Sequence, residues 1–206
     1  MHVLRVEIHR TIVQEKKKNM KERMVPITLV TGFLESGKTT AISQIIRQGF
    51  GNLFGTTLLI DAEEEGEEHY DPVLLKEKGV VLIDADNPLL ITASYLQALE
   101  NSYHPNQVII EYNGLFRVSH LDSLKLPEGW EIVRQMTILD GSVFHIYLES
   151  AKVQFEDMVQ RTGLVLFNRC PRDRKKLQHF KEHVLAVNDT AQVIFEDEEG
   201  NIISCI

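Results

Sequence analysis

Only two of the 206 residues are cysteine, Cys170 and Cys205, too few for a disulfide framework, so a reducing cytoplasm is the expected compartment. Long apolar runs are missing too. Nothing approaches the roughly 18 residues of a spanning helix, and the first residues carry charge in place of a secretory signal's apolar stretch, so no membrane attachment is expected. Positive charge is in deficit: a net charge of −8 argues against a general nucleic-acid binder, which needs a basic face for phosphate backbones. No internal repeat is visible. What remains is a chain of one-domain size whose 43% hydrophobic content supplies a sizeable core.

The basic charge there is gathers at one end. Residues 1–23 hold seven Lys or Arg against three Glu, and Gln14 to Arg23 has almost no apolar side chains. Residues 1–24 therefore read as a basic extension, either an electrostatic tail or a stretch upstream of a true start at Met20 or Met24. Residues 25–206 read as the folded domain.

The most specific pattern is Gly32-Phe33-Leu34-Glu35-Ser36-Gly37-Lys38-Thr39-Thr40, which fits the phosphate-binding loop G-x-x-x-x-G-K-S/T. Its flanks fit as well. Ile27 to Val30 is an apolar strand-like run, and Ala41 to Ile46 has apolar residues at helical spacing. In such a loop Gly32 and Gly37 let backbone N–H groups wrap a phosphate chain, and the following helix aims its positive end there. Lys38 would reach the β- and γ-phosphates, and Thr39 would offer its hydroxyl to Mg²⁺. Leu34, Glu35, Ser36 and Thr40 complete the cradle. The nucleotide partner is a triphosphate, GTP or ATP, with Mg²⁺.

Strand-like runs recur at Thr56–Ile60, Gly79–Ile83, Gln107–Glu111, Ile132–Leu139 and Gly163–Phe167. Helical spacing occupies Pro88–Leu99, Leu148–Val159 and Arg172–Val184. The alternation predicts an α/β fold, the three-layer αβα sandwich of P-loop NTPases with a mostly parallel sheet. Ala191–Phe195 and Ile202–Ser204 flank Gly200-Asn201, which predicts a C-terminal antiparallel hairpin. Ligands gather beyond the carboxyl ends of such strands, where Thr31, Asp61, Asp84, Glu111, Asp140 and Asn168 fall. Near Asp84, Asn87-Pro88 reads as a helix cap and first helical residue, a structural turn.

Val108-Ile109-Ile110-Glu111 is followed by Tyr112-Asn113-Gly114. An acid there can hold Mg²⁺ through water, and the Gly114 N–H can sense the γ-phosphate. Together Val30 to Thr40 and Glu111-Tyr112-Asn113-Gly114 resemble the CobW-type GTPases, relatives of the urease and hydrogenase nickel-insertion GTPases, whose loop reads T-G-F-L-G-x-G-K-T-T. Asp140, Asn188-Asp189-Thr190-Ala191 and Gly200 extend the likeness over residues 25–206, a short form without the family's further C-terminal domain. The resemblance implies a GTP-binding, slowly hydrolysing switch that assists assembly, metal or cofactor loading, or reactivation of a metal- or corrinoid-dependent client enzyme. It also allows a homodimer across the nucleotide face.

The departures are as informative. The family's guanine-reading N-K-x-D stands here as Asn168-Arg169-Cys170-Pro171, without the aspartate that accepts from the base, although Asn168 and Arg169 can still border it. The family's C-x-C-C metal motif is absent. Two other patterns have metal spacing. His179 and His183 lie four apart on one helix face and read as a solvated pair, and the run Asp61, Glu63, Glu64, Glu65, Glu67, Glu68 and Asp71 reads as a hydrated switch segment in which Glu63 or Glu64 reaches Mg²⁺ through water. The alternatives to a switch are an ATP-dependent small-molecule kinase, with Arg169, Arg172, Arg174, Lys175 and Lys176 as a lid and Asp61 and Asp140 as acids, or a non-hydrolysing nucleotide-bound scaffold.

Overall fold

The computed structural model describes residues 23–49, 55–63 and 69–203. Expectations for residues 1–22 and for Glu64, Glu65, Glu67 and Glu68 lie outside the described residues; of the basic extension, only Arg23 and Met24 are seen.

Seven strands form one sheet: β1 (Val25–Gly32), β2 (Thr57–Ala62), β3 (Val80–Asp84), β4 (Gln107–Asn113), β5 (Trp130–Asp140), β6 (Leu164–Asn168) and β7 (Gln192–Phe195). Their spatial order is β3-β2-β4-β1-β5-β6-β7, and every neighbouring pair is parallel. Among the described residues six α-helices accompany them: α1 (Lys38–Arg47), α2 (Pro72–Glu77), α3 (Ala93–Tyr103), α4 (Phe144–Ser150), α5 (Lys152–Val159) and α6 (Arg174–Val187). The expected α/β sandwich is what the chain forms.

Strand alternation sorts side chains between two cores, because successive residues point to opposite faces. Leu58, Ile60, Val108, Ile110, Val165 and Phe167 pack on the face covered by α3 to α6. Leu59, Ile109, Ile138, Leu166 and Ile194 meet Ile42, Ile45 and Ile46 of α1 and Leu74 and Leu75 of α2 on the other. That parity places the chemistry. Asp61 and Glu111 are register partners across β2 and β4, and both continue the Leu59/Ile109 side, where α1 begins.

Three expectations change in detail. The helix expected over Pro88–Leu99 is a 3₁₀ turn, Pro88–Leu90, followed by a restart at α3. Fully buried Ile91 plugs the core between them, and extended Thr92 caps the new helix by accepting from the Tyr95 N–H at 3.2 Å. The helix expected over Leu148–Val159 is broken at Ala151, which ends α4 and begins α5 and lets Phe144 and Phe155 meet edge-on at 5.4 Å. The C-terminal hairpin is shorter than expected: β7 is a parallel strand of the sheet, and its antiparallel return is one bridge, Glu196 to Ile202, with the Ile203 N–H on the Phe195 carbonyl.

Because the Thr92 hydroxyl satisfies an otherwise orphaned helix donor, Thr92→Ala should lower stability by about 1 kcal/mol. Urea denaturation of the two proteins checks this; equal midpoints would show that the restart of α3 is fixed by Ile91 alone.

Candidate functional site

The turn between β1 and α1 is tight for local reasons. Gly37 adopts φ 89° and Glu35 φ 58°, both left-handed, and the Ser36 N–H returns to the Phe33 carbonyl at 3.2 Å. A side chain at Gly37 would also lie 2.7 Å from the Asn168 amide nitrogen. Helix α1 starts with no side-chain cap, so its first N–H groups face the loop unsatisfied by any side-chain acceptor. The buried Ser36 hydroxyl has no hydrogen-bond partner among the described residues. Leu34 and Thr40 sit at the exposed rim.

Lys38 is the centre of this arrangement. Its side chain is 1% exposed, and its ammonium donates to the Phe33 carbonyl at 2.8 Å and to Glu63 Oε1 at 2.7 Å. The next residue, Thr39, donates its hydroxyl to Glu111 Oε1 at 2.9 Å. The other Glu111 oxygen accepts from the Tyr70 hydroxyl. Burial pushes the Glu111 carboxyl up to about 8; the Tyr70 hydrogen bond and Lys38 pull the other way, while Asp61 and Glu63 add to the rise. Burial likewise raises Asp61, opposed by the Glu63 backbone N–H it accepts from and by Lys38, with the Glu63 and Asp84 carboxylates adding to the rise. Three carboxylates thus face one ammonium.

Such a surplus of hard oxygen donors suits a hard cation. Among the described residues no three His, Cys, Asp or Glu side chains form a metal cage; Mg²⁺ is an ion that keeps several waters and takes few protein ligands. Thr39 and Glu111 are the residues that would hold it.

Gly114, four residues from the end of the Val108–Ile110 run, behaves differently from its expectation. Its N–H donates to the Gly32 carbonyl at 2.8 Å, so reaching a γ-phosphate requires that bond to open. A methyl group at Gly114 would lie 2.8 Å from the Gly32 carbonyl oxygen and would strike the Met158 sulfur, so the phosphate loop, β4 and α5 touch at one point.

At the far end of the loop, Asn168 donates to the Ser36 carbonyl at 2.7 Å, and its buried Oδ1 has no partner among the described residues. Arg169, at φ 48°, folds back onto the Glu35 carbonyl and the Asp140 carboxylate. The two residues brace the loop and border a cavity of about 340 Å³ that Gly37, Thr40, Gln44 and Glu196 also line. A cavity of about 510 Å³ near Ile132, Arg161 and Gln192 holds none of the residues singled out in the sequence.

The remaining sequence candidates scatter. Asp71 caps α2 through the Val73 N–H, and Asp84 and Asn87 bond their own turns, as expected of a structural segment. The lid imagined for a kinase is tied down: Arg169 is bound to Asp140 and Arg172 to Asp197. Asp140 also accepts from the Ser142 N–H and hydroxyl, leaving it poorly placed as a base. Two participants escaped sequence reading. Tyr70 carries no motif, and Glu63 was considered only as a water-mediated Mg²⁺ neighbour, not as the ion-pair partner of Lys38.

Loop, acid and parallel sheet define a phosphate-loop NTPase fold. More narrowly, the chain belongs to the CobW/HypB/UreG family, whose nucleotide-binding domain model matches residues 26–195. It is 24% identical over 189 residues to the zinc chaperone YeiR of Escherichia coli strain K12, covering 87% of this chain and 57% of that protein. It is 22% identical over 224 residues to the zinc chaperone CobW of a Sinorhizobium species, covering 88% and 61%. The chain therefore spans about three-fifths of the length of these relatives. Among solved structures, the Zn(II)-bound YjiA GTPase of E. coli matches with a TM-score of 0.58 at 18% identity over 82% of this chain and 57% of that one. The hydrogenase maturation factor HypB of Archaeoglobus fulgidus matches with a TM-score of 0.58 at 15% identity over 96% and 93%.

The raised Glu111 gives a sign to test. The folded protein holds this proton more tightly than the unfolded chain does, so the stability it contributes is full below the unfolded value of 4.5 and is lost as pH rises toward about 8. Glu111→Gln cannot titrate. In EDTA, the wild type should lose stability relative to this variant between about pH 5 and about pH 8; urea midpoints whose difference stays constant across that range would contradict the burial-driven shift.

Proposed function

We propose that residues 25–206 act as a GTP-binding, slowly hydrolysing switch that assists the delivery of a metal or metal cofactor to a client enzyme. The observation that carries this reading is the buried Lys38 ammonium beside the Thr39–Glu111 contact, at the uncapped start of α1. Family membership and the zinc-chaperone relatives support the metal-delivery part. The cytoplasm is the compartment this role requires.

In this reading Mg²⁺, when bound, offsets charge on the β- and γ-phosphate oxygens. The chain's own residues do the rest. The loop amides and Lys38 receive the phosphates, and Lys38 exchanges its Glu63 partner for phosphate oxygen. That exchange releases Glu63, just beyond β2, when a triphosphate is present. The Gly114 N–H leaves the Gly32 carbonyl for the γ-phosphate, and the movement is felt at Met158. Asn168 and Arg169 hold the loop and flank the base.

Turnover is slow in this scheme. Arg169 and Arg172 are committed to carboxylates, and without an arginine finger or a water-orienting glutamine a rate of about 10⁻⁴ to 10⁻² per second is expected. Client contact, or pairing of two copies across the nucleotide face, would supply what is missing.

Titration of the full chain with labelled GTP and ATP in Mg²⁺ tests the reading. GTP should bind more tightly than ATP, release phosphate to water, and lose roughly a hundredfold or more in affinity on Lys38→Ala, as befits removal of a buried charge-assisted contact. Unchanged affinity for both nucleotides in that variant would sink the proposal. A firm ATP preference with phosphate passed to a metabolite would instead establish a kinase.

A further inference from the structure

Helix α6 carries a feature that the nucleotide site does not use. His179 is exposed and His183 half-buried, and the four-residue spacing puts both rings on one helix face. Their Nε2 atoms converge to 3.1 Å, with the rings 4.4 Å apart and nearly perpendicular. Two ligands of a tetrahedral zinc ion at 2.0–2.1 Å sit roughly 3.3 to 3.4 Å from one another. The observed separation is within a few tenths of an ångström of that value.

The geometry points to a metal site on α6, in which Nε2 of His179 and Nε2 of His183 bind one borderline divalent cation such as Zn²⁺ and leave its other positions to water or to a ligand from another molecule. Imidazole nitrogen is suited to Zn²⁺, Ni²⁺ and Cu²⁺ and gives Mg²⁺ little, so this site and the oxygen-rich one at Thr39 and Glu111 select different ions. The two Nε2 atoms already lie within hydrogen-bond distance of each other.

The surroundings favour ligation. His183 lies edge-on to Phe144 with ring centroids 6.3 Å apart, which restrains one ligand. Glu182 is occupied with the Gln178 side chain at 3.1 Å. No third His, Cys, Asp or Glu among the described residues joins the pair. A site with two protein ligands is open and exchangeable, unlike the closed four-ligand sites that hold zinc structurally. It suits a cation held in passing and handed on, and it owes nothing to the identity of the nucleotide.

Zn²⁺ titration of the untagged full chain without nucleotide, in excess Mg²⁺ to occupy the oxygen site, tests this. One equivalent should bind, with the His179 and His183 ring resonances shifting in NMR spectra. His179→Gln and His183→Gln should each weaken binding at least tenfold while keeping the wild-type circular dichroism, and Gln178→Ala should bind as wild type. Absence of Zn²⁺ binding by the wild type, or wild-type affinity in both histidine variants, would overturn the proposal. Because no nucleotide is present, failure of the GTP reading would leave this result standing.

Discussion

A single ammonium group kept out of water organises the functional end of this molecule. Stranding a buried charge by removing its partner costs about 3 to 5 kcal/mol, so Lys38 can be 1% exposed only because the Phe33 carbonyl and Glu63 meet it. Those partners impose the rest. The Phe33 carbonyl points inward because the loop turns through left-handed Glu35 and Gly37, and Glu63 arrives because β2 runs parallel to β4 with Asp61 opposite Glu111. The side of the sheet that receives α1 thereby gathers more carboxylate than one lysine can balance. Glu111 responds by holding its proton up to about 8. A site that is short of positive charge when folded is one that a divalent cation would complete, which links the folding chemistry of the loop to its use.

A second constraint is steric. β1 and β4 are neighbours whose ends come close enough for the Gly114 N–H to bond the Gly32 carbonyl, and neither position has room for a side chain. The Met158 sulfur closes the space at Gly114 from α5, on the face of the sheet opposite α1. A displacement at the loop therefore has a short packed path through the sheet, glycine to methionine, and a rigid core transmits such a displacement with little loss. Asn168 and Arg169 act as the counterpart on the other flank, tying β6 to the Ser36 and Glu35 carbonyls. The loop is thus held from both sides by residues that come from distant parts of the chain.

Much of this was legible in the sequence because its signals are local. Six strands were placed to within a few residues by apolar runs, four of them ended by acids, and the phosphate loop by its glycine and lysine spacing. The misplacements occur where tertiary packing overrides periodicity. Pro88 to Leu99 keeps a helical pattern throughout, yet Ile91 is drawn into the core and Thr92 begins the helix anew. β7 looked like half of a hairpin because its turn is marked by Gly200-Asn201, but a parallel partner, β6, claims it first. Tyr70 was invisible because nothing in its own neighbourhood announces that its hydroxyl ends on a carboxylate 41 residues away. Contacts of that length are set by the sheet order, which the sequence pattern does not encode one strand at a time.

The same reasoning bears on the base end of the site. Pro171 stands where the family's motif has an aspartate, and a proline side chain accepts no hydrogen bond. Yet Asn168, through its amide N–H, and Arg169, through its guanidinium, brace the loop, a task indifferent to which purine lies beside them. Their presence is thus no argument for guanine. The carboxylates that line the neighbouring cavity differ in what they already bond. Asp197 is spent on Arg172 and on the N–H groups of Glu199 and Asn201. Glu196, which follows β7 and is raised by burial, lines the cavity together with Asp197, Glu198 and Glu199. Guanine offers two adjacent donors at its N1 and exocyclic amine, whereas adenine offers one amine beside an acceptor, so a charged acceptor at that wall would favour whichever donor edge is turned toward it.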